Sequence, residues 1–212
     1  MSGGVILVQE AFGVTAQMLD VARRFEAEGY AAVVPAFYER VGGPREFSYD
    51  TGFDAIRPVM ASLTGEGLLA DVDAAVDTLG LPPSRIAVVG FCMGGTVALW
   101  AGAMRALGAA VSFYGGGVTE SRWDGVPALV DVAPGLRTPW LGLYGDDDTG
   151  IPVDDVEALR SAASLAPVPT RIERFAGAGH AFFNADRPNY DAAAAEAAWP
   201  MMLSWLRQNL PD

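Results

Sequence analysis

The stretch Ile86-Ala87-Val88-Val89-Gly90-Phe91-Cys92-Met93-Gly94-Gly95 joins an apolar run to a segment of helical period across one cysteine set between glycines. Residues 86–89 are apolar throughout rather than alternating, the pattern of a strand covered on both faces. Residues 93–105 repeat apolar side chains at helical spacing. A side chain at the apex of so sharp a strand-to-helix turn sits in a strained backbone conformation, and glycines two residues to either side let strand and helix approach. The turn exposes Cys92 at the amino end of the helix, where the dipole favours a thiolate. It also aims the Met93 amide at any oxyanion formed by attack on a carbonyl. The plainer reading is a buried cysteine in a glycine-rich turn.

Outward from this turn, short apolar runs alternate with segments of helical period. Strands are expected at 5–9, 31–35, 86–90, 109–114, 140–144 and 171–175, and helices at 15–28, 68–79, 93–105, 153–163 and 190–209. This rhythm predicts an α/β fold, a mostly parallel central sheet with helices on both faces. Two stretches break it, 39–67 with Pro44 and Pro58, and 115–137 with Gly115-Gly116-Gly117; both read as long loops or caps over one end of the sheet. Ligands of open α/β sheets bind beyond the carboxyl ends of the strands. Three features follow expected strands: Cys92, the run Asp146-Asp147-Asp148, and the single histidine, His180, in Gly177-Ala178-Gly179-His180. At least one of Asp146 and Asp147 reads as part of a solvated acidic turn.

The 212 residues fit one domain, 1–212, and the 51% hydrophobic and 19% charged fractions are those of a folded chain. No apolar run is long enough to cross a bilayer and no basic-then-apolar leader opens the chain, so a cytoplasmic location is expected. One cysteine makes no internal disulfide, and one histidine with one cysteine is a poor metal set, so no metal is expected. All 14 basic residues are arginine, which removes Schiff-base catalysis and the lysine of a nucleotide-phosphate loop; no cofactor is expected. A net charge of −12 disfavours nucleic acid and anionic membranes as partners.

The chain order of Cys92, an aspartate and His180 is the nucleophile, acid, histidine order of the α/β-hydrolases. With Val8-Gln9-Glu10-Ala11-Phe12-Gly13, Gly90-Phe91-Cys92-Met93-Gly94-Gly95 and Gly177-Ala178-Gly179-His180-Ala181-Phe182, the sequence resembles the dienelactone hydrolase family, the carboxymethylenebutenolidase-like branch of that superfamily, over nearly its whole length. The resemblance implies a single α/β-hydrolase domain with a Cys92, Asp148, His180 triad. Asp148 matches because it follows Gly145 by three residues and precedes Ile151-Pro152. It implies that Glu10 takes the nucleophile's proton when substrate arrives, as a buried carboxylate with raised proton affinity can; the plainer alternative for Glu10 is a structural carboxylate at a loop start. It also implies an oxyanion hole of the Met93 and Ala11 amides.

The implied reaction is opening of a small lactone, or cleavage of an ester, through a Cys92 thioester, of the type dienelactone to maleylacetate in aromatic degradation. Family substrates carry a carboxylate, for which Arg57 and Arg187 are the candidate grips. Phe12 and Tyr114, with Phe37, Tyr49 and Phe182, are candidate pocket walls. Two departures stand out. Where the family has an arginine four residues after the histidine, this chain has Asn184, and the strand before Glu10 begins almost at Met1, where family members have one or two strands before it. The sheet is then smaller or the start displaced, and an open edge would favour pairing, so monomer and homodimer both stand. The alternatives are a broader carboxylesterase or thioesterase of the same fold, and a non-catalytic relative acting as a binding protein.

Overall fold

Strands that are apolar on both faces need a helix layer on each side, and parallel neighbours need a crossover between them. The computed structural model describes residues 3–211 and meets both demands. Its strands are β1 (Gly3–Val8), β2 (Tyr30–Val33), β3 (Ile86–Phe91), β4 (Ala109–Phe113), β5 (Trp140–Gly145) and β6 (Thr170–Phe175). They form one sheet in the order β2-β1-β3-β4-β5-β6 with every pairing parallel. β1, β3, β4 and β5 are buried along their whole length.

The helices are α1 (Ala16–Ala27), α2 (Phe37–Arg40), α3 (Phe53–Ala61), α4 (Gly65–Leu79), α5 (Met93–Met104), α6 (Leu129–Val132), α7 (Val153–Ala163) and α8 (Ala192–Asn209). α1 buries Met18, Val21, Ala22 and Phe25, the single stripe of a surface helix. It starts where the Thr15 side chain accepts the Met18 amide. α4 starts in the same way at Thr64 and ends at Gly80 with φ 61°. α1 and α8 meet through Arg24, whose guanidinium lies 3.8 Å above the Trp199 ring. α5 is apolar all round and buried from Met93 to Ala103, because it packs on β3 and β4 beneath α4 and α6. Each Leu or Val buried there stabilises the fold by roughly 1.5–3 kcal/mol. No helix among the described residues is long and apolar enough to cross a membrane.

Several expectations from the sequence are corrected: α4 begins at Gly65, three residues earlier than expected, and the stretch 115–137 holds α6. The stretch 39–67 is not loop throughout: it holds α3, whose apolar Phe53, Ile56, Val59 and Met60 recur at helical spacing, although Pro58 stands inside it and only Ile56 is buried. α8 begins at Ala192, two residues later than expected, where Asp191 accepts the Ala194 amide.

The register sets the site. Val8 pairs with Gly90, Phe91 with Phe113, Phe113 with Leu143, and Gly145 with Phe175, so five strands release the chain at one level of the sheet. Beneath that level β1 crosses the start of α5 with no room for side chains. A Cβ on Gly94 would lie 2.3 Å from the Val8 carbonyl oxygen, and one on Gly90 would lie 1.9 Å from the Gly94 carbonyl oxygen. Gly94→Ala is therefore expected to lower the free energy of unfolding by about 3 kcal/mol or more. Gly135→Ala, where a Cβ meets nothing within 4 Å, should change it by less than about 1 kcal/mol. Urea titration of both variants against wild type checks the contrast.

Candidate active site

Cys92 has φ 53° and ψ −117°, between the last residue of β3 and the first of α5. Its amide donates to the Phe113 carbonyl at 3.0 Å, and its own carbonyl accepts from Gly95 at 2.9 Å and Thr96 at 3.3 Å. These bonds hold the residue in a conformation that costs of order 1–3 kcal/mol. The other non-glycine residues with positive φ among those described are Tyr114 and Ala181, both beside the same site. Cys92 is half-buried at the positive end of a twelve-residue helix, and the first amides of α5, Met93 among them, have no partner one turn back. Ala11 follows Glu10 in a tight turn closed by the Gly13 amide on the Glu10 carbonyl at 3.0 Å. The Tyr38 hydroxyl donates to the Ala11 carbonyl at 2.8 Å and touches Met93 Sδ at 3.4 Å, so one side chain ties together the two segments expected to supply oxyanion donors. Burial, and next the charge of Cys92, keep that phenol protonated.

His180 Nδ1 lies 2.6 Å from Asp148 Oδ2, and Asp148 Oδ1 accepts the Gly150 amide at 2.9 Å. Asp148 is buried, Asp147 is exposed and Asp146 pairs with Arg174 at 2.7 Å, so the last of the three acids is the one that meets the histidine. With Nδ1 engaged, Nε2 is the nitrogen left for chemistry. Burial pulls the imidazole's proton affinity down. The charge that Cys92 carries once ionised and the hydrogen bond donated to Asp148, then a hydrogen bond to Cys92 and the Asp148 charge, outweigh it and push the pKa up to about 10.

Glu10 is buried. Its Oε2 accepts Asn184 Nδ2 at 2.9 Å and its Oε1 accepts the Tyr114 hydroxyl at 3.4 Å. The second Asn184 amide proton goes to the Tyr49 oxygen at 2.9 Å, and Asn184 Oδ1 accepts the Asp186 amide at 3.0 Å, so this amide is fully used and its orientation fixed. Both donors to Glu10 are neutral. Burial raises its pKa, against the lowering pull of Asn184, His180, Arg187 and Tyr114.

Cys92, His180 and Arg187 line a cavity of about 370 Å³, and a lobe of about 90 Å³ beside it adds Glu10, Phe12 and Ala181 to its wall. The four expected chemical residues, the Ala11 and Met93 segments, Phe12 and Arg187 thus converge on one cavity. The Arg187 guanidinium lies 4.6 Å above the Phe12 ring and 5.3 Å above Tyr49, with no carboxylate partner among the described residues. Five expected residues stand elsewhere: Phe37 and Phe182 are fully buried in the core, Tyr49 packs its ring 4.9 Å from that of Phe12 without reaching the cavity, and Tyr114 and Arg57 are also off its wall. Tyr114, expected on the pocket wall, is fully buried behind it and touches Glu10 and the His180 ring. Arg57 pairs with Asp54 at 3.8 Å and lines an outer chamber rather than the one holding Cys92. Asn184, Tyr38 and Arg122, the last on the wall of the Cys92 cavity, carry no sequence signal except for Asn184, whose place four residues after His180 marks a departure from the family pattern.

The profile of the Dienelactone hydrolase family matches residues 2–210. The chain belongs to the dienelactone hydrolase family. It is 38% identical over 209 residues to a provisionally named carboxymethylenebutenolidase of Escherichia coli K12, covering 96% of this chain and 76% of that protein. It is 29% identical over 211 residues to a provisionally named 2-oxo-3-(5-oxofuran-2-ylidene)propanoate lactonase of Bradyrhizobium, covering 97% and 84%. Among solved structures, a provisionally named dienelactone hydrolase from Klebsiella pneumoniae superposes with a TM-score of 0.87 at 34% identity, covering 97% of this chain and 87% of that one. Membership in the dienelactone hydrolase family makes the chain an enzyme of the lactone and ester hydrolase type, acting on small molecules.

The single histidine makes its titration directly readable. A folded pKa above the unfolded value of roughly 6.5 means that His180 contributes stability fully below that pH and loses it as pH rises through about 10. Ring-proton NMR of wild type should show a midpoint near 10, and Cys92→Ala and Asp148→Asn should each move it down, because each removes a neighbour that favours the imidazolium. A midpoint unchanged in both variants would contradict the assigned causes.

Proposed function

We propose that the protein opens an unsaturated, carboxylate-bearing lactone through a thioester on Cys92. The observation that carries this is the convergence of Cys92, the His180–Asp148 pair and the buried Glu10 on one cavity. On arrival of substrate, the thiol proton moves to Glu10, whose burial gives it a raised proton affinity. Sγ attacks the lactone carbonyl and the amides of Met93 and Ala11 hold the oxyanion. The ring C–O bond breaks, and the departing enolate oxygen takes the proton of the His180 imidazolium. Acylation has then removed the Cys92 charge that raised the proton affinity of His180, so the neutral imidazole, oriented by Asp148, is a base available at neutral pH. It takes a proton from water as the oxygen attacks the thioester. The C–S bond breaks, Sγ recovers its proton from Glu10, and the new carboxylic acid releases its proton to solvent. Each group ends as it began.

Arg187 is the grip for the substrate carboxylate. Held above two aromatic rings and free of a protein carboxylate, it keeps its forked donors for a bidentate partner. An unsaturated lactone suits a thiol nucleophile because its enolate departs without strong acid assistance. The names carried by the relatives from Escherichia coli and Bradyrhizobium describe lactone or butenolide substrates of this kind. The second reading, a broader carboxylesterase, is favoured by Asn184: with an amide rather than a guanidinium beside Glu10, the small lobe offers a carboxylate one fewer cation. The same reading places a one-domain enzyme in the cytoplasm, where a lone thiol stays reduced, on a route of aromatic degradation.

The test is the ring-opening of dienelactone, followed by its ultraviolet absorbance. Wild type should turn it over and Cys92→Ala should lose at least a thousandfold in kcat/KM. Turnover of simple activated esters but not of dienelactone selects the esterase reading; equal rates for wild type and variant defeat both.

A further inference from the structure

The three glycines at the head of the 115–137 stretch take no part in this chemistry, yet two of them make a place for Arg122. A Cβ on Gly116 would stand 2.8 Å from Arg122 Nη2, and one on Gly117 would stand 3.0 Å from its Cγ. The arginine therefore lies along a shelf of bare backbone that side chains would close. The shelf is fastened to the helix that presents Cys92: the Gly116 carbonyl accepts the Thr96 hydroxyl at 2.7 Å.

Arg122 sits where two spaces meet. It lines the cavity of about 370 Å³ with Cys92 and His180, and also a chamber of about 480 Å³ beyond it, the two sharing Met60, Trp123, Gly150 and Ile151. No carboxylate lies within ion-pair distance of it among the described residues, whereas Arg40, Arg105, Arg174 and Arg207 all have one. In a chain with 26 acidic and 14 basic residues an unpaired arginine on a cavity wall goes against composition. The cavity as a whole does too: its charged lining is Arg122, Arg187, His180 and Asp148, and Asp148 is already taken by His180 and the Gly150 amide. An acidic protein thus keeps two arginines without an ion-pair partner, among the described residues, on the walls of the cavity that holds its nucleophile, where their donors can receive anions. The outer chamber carries Arg57 and Arg122 against Glu120 and Asp155, the last accepting from the Thr119 hydroxyl at 3.4 Å, so beyond Arg122 its remaining charged lining leans acidic. The cationic point is therefore the junction.

Arg187 lines the small lobe that holds Glu10, and Arg122 lines the opposite, Trp123 side and not that lobe. We propose that Arg122 is a specificity-determining residue, binding a second anionic group carried on a chain that runs from the scissile carbonyl toward the outer chamber, so that the preferred substrates are dianionic esters or lactones. This rests on the reading of Cys92 as the nucleophile. The glycine shelf is then a specificity device, since it holds the guanidinium out from the wall without a protein acid to neutralise it.

The test uses the single thiol and needs no turnover. Cys92 is alkylated with N-bromoacetyl-β-alanine and, separately, with its uncharged carboxamide, and the ratio of the two rates is compared in wild type, Arg122→Gln and Arg122→Lys. Wild type should favour the anionic reagent by about tenfold at low salt, the size of one charge-assisted contact. Arg122→Gln should bring the ratio close to one, and Arg122→Lys should keep most of it. A wild-type ratio near one, or a ratio that Arg122→Gln leaves unchanged, overturns the proposal. Failure of the hydrolase reading looks different: no lactone or ester is opened while the charge preference and its loss in Arg122→Gln persist.

Discussion

The crossing of β1 over the start of α5 is the contact on which the rest depends. Gly94 lies so close to the Val8 and Gln9 carbonyls that a side chain there would part β1 from α5, and Gly90 lies so close to Gly94 that one there would part β3 from α5. That approach puts Glu10 and Ala11, at the end of β1, beside Cys92 and Met93 at the start of α5. The spacing of the proposed base, nucleophile and oxyanion donors is thus set by backbone against backbone, with the Tyr38 side chain bridging Ala11 and Met93. The strain at Cys92, Tyr114 and Ala181 is held by a sheet whose four central strands are wholly buried.

On this frame two titratable groups are tuned by different means. His180 lies beside ionised Cys92 and donates to Asp148, itself fixed by its other oxygen to Gly150, and against burial these hold its proton to about pH 10. Glu10 has only neutral donors, and burial raises its proton affinity. Pairs of groups set up in such different surroundings divide acid and base roles within one cavity. In the proposed cycle the imidazolium is the acid for the leaving group and Glu10 the base for the thiol. An amide at position 184 is central to this: it gives Glu10 a strong hydrogen bond without a full countercharge.

The strands and the elbow were legible because they are local patterns: continuous apolar runs, and a cysteine between glycines. The order of cysteine, aspartate and histidine gave their grouping, and Asp148 could be separated from Asp146 and Asp147 only by resemblance to a family. What stayed hidden is long-range. Asn184 meets Glu10 across 174 positions, and Tyr38 meets Met93 across 55; no window of sequence contains either pair. Tyr114 reads as a possible wall by its type, but its strand turns it inward to Glu10. Arg122 is hidden for another reason: the role proposed for it rests on the lack, among the described residues, of an acid within ion-pair distance, which a sequence cannot display. α3 escaped although Phe53, Ile56, Val59 and Met60 keep a helical period, because Pro58 inside it and the glycines around it read as loop.

The central claim is a covalent bond between substrate and Cys92. Rapid mixing of the His180→Asn variant with dienelactone, followed by intact-protein and peptide mass spectrometry, tests it most directly, because loss of the water-activating imidazole should let the thioester accumulate. The account predicts an adduct of the mass of the whole lactone, located on Cys92 and released by hydroxylamine. Lactone opening by this variant with no adduct on Cys92 at any time, together with turnover that survives Cys92→Ala, would contradict it.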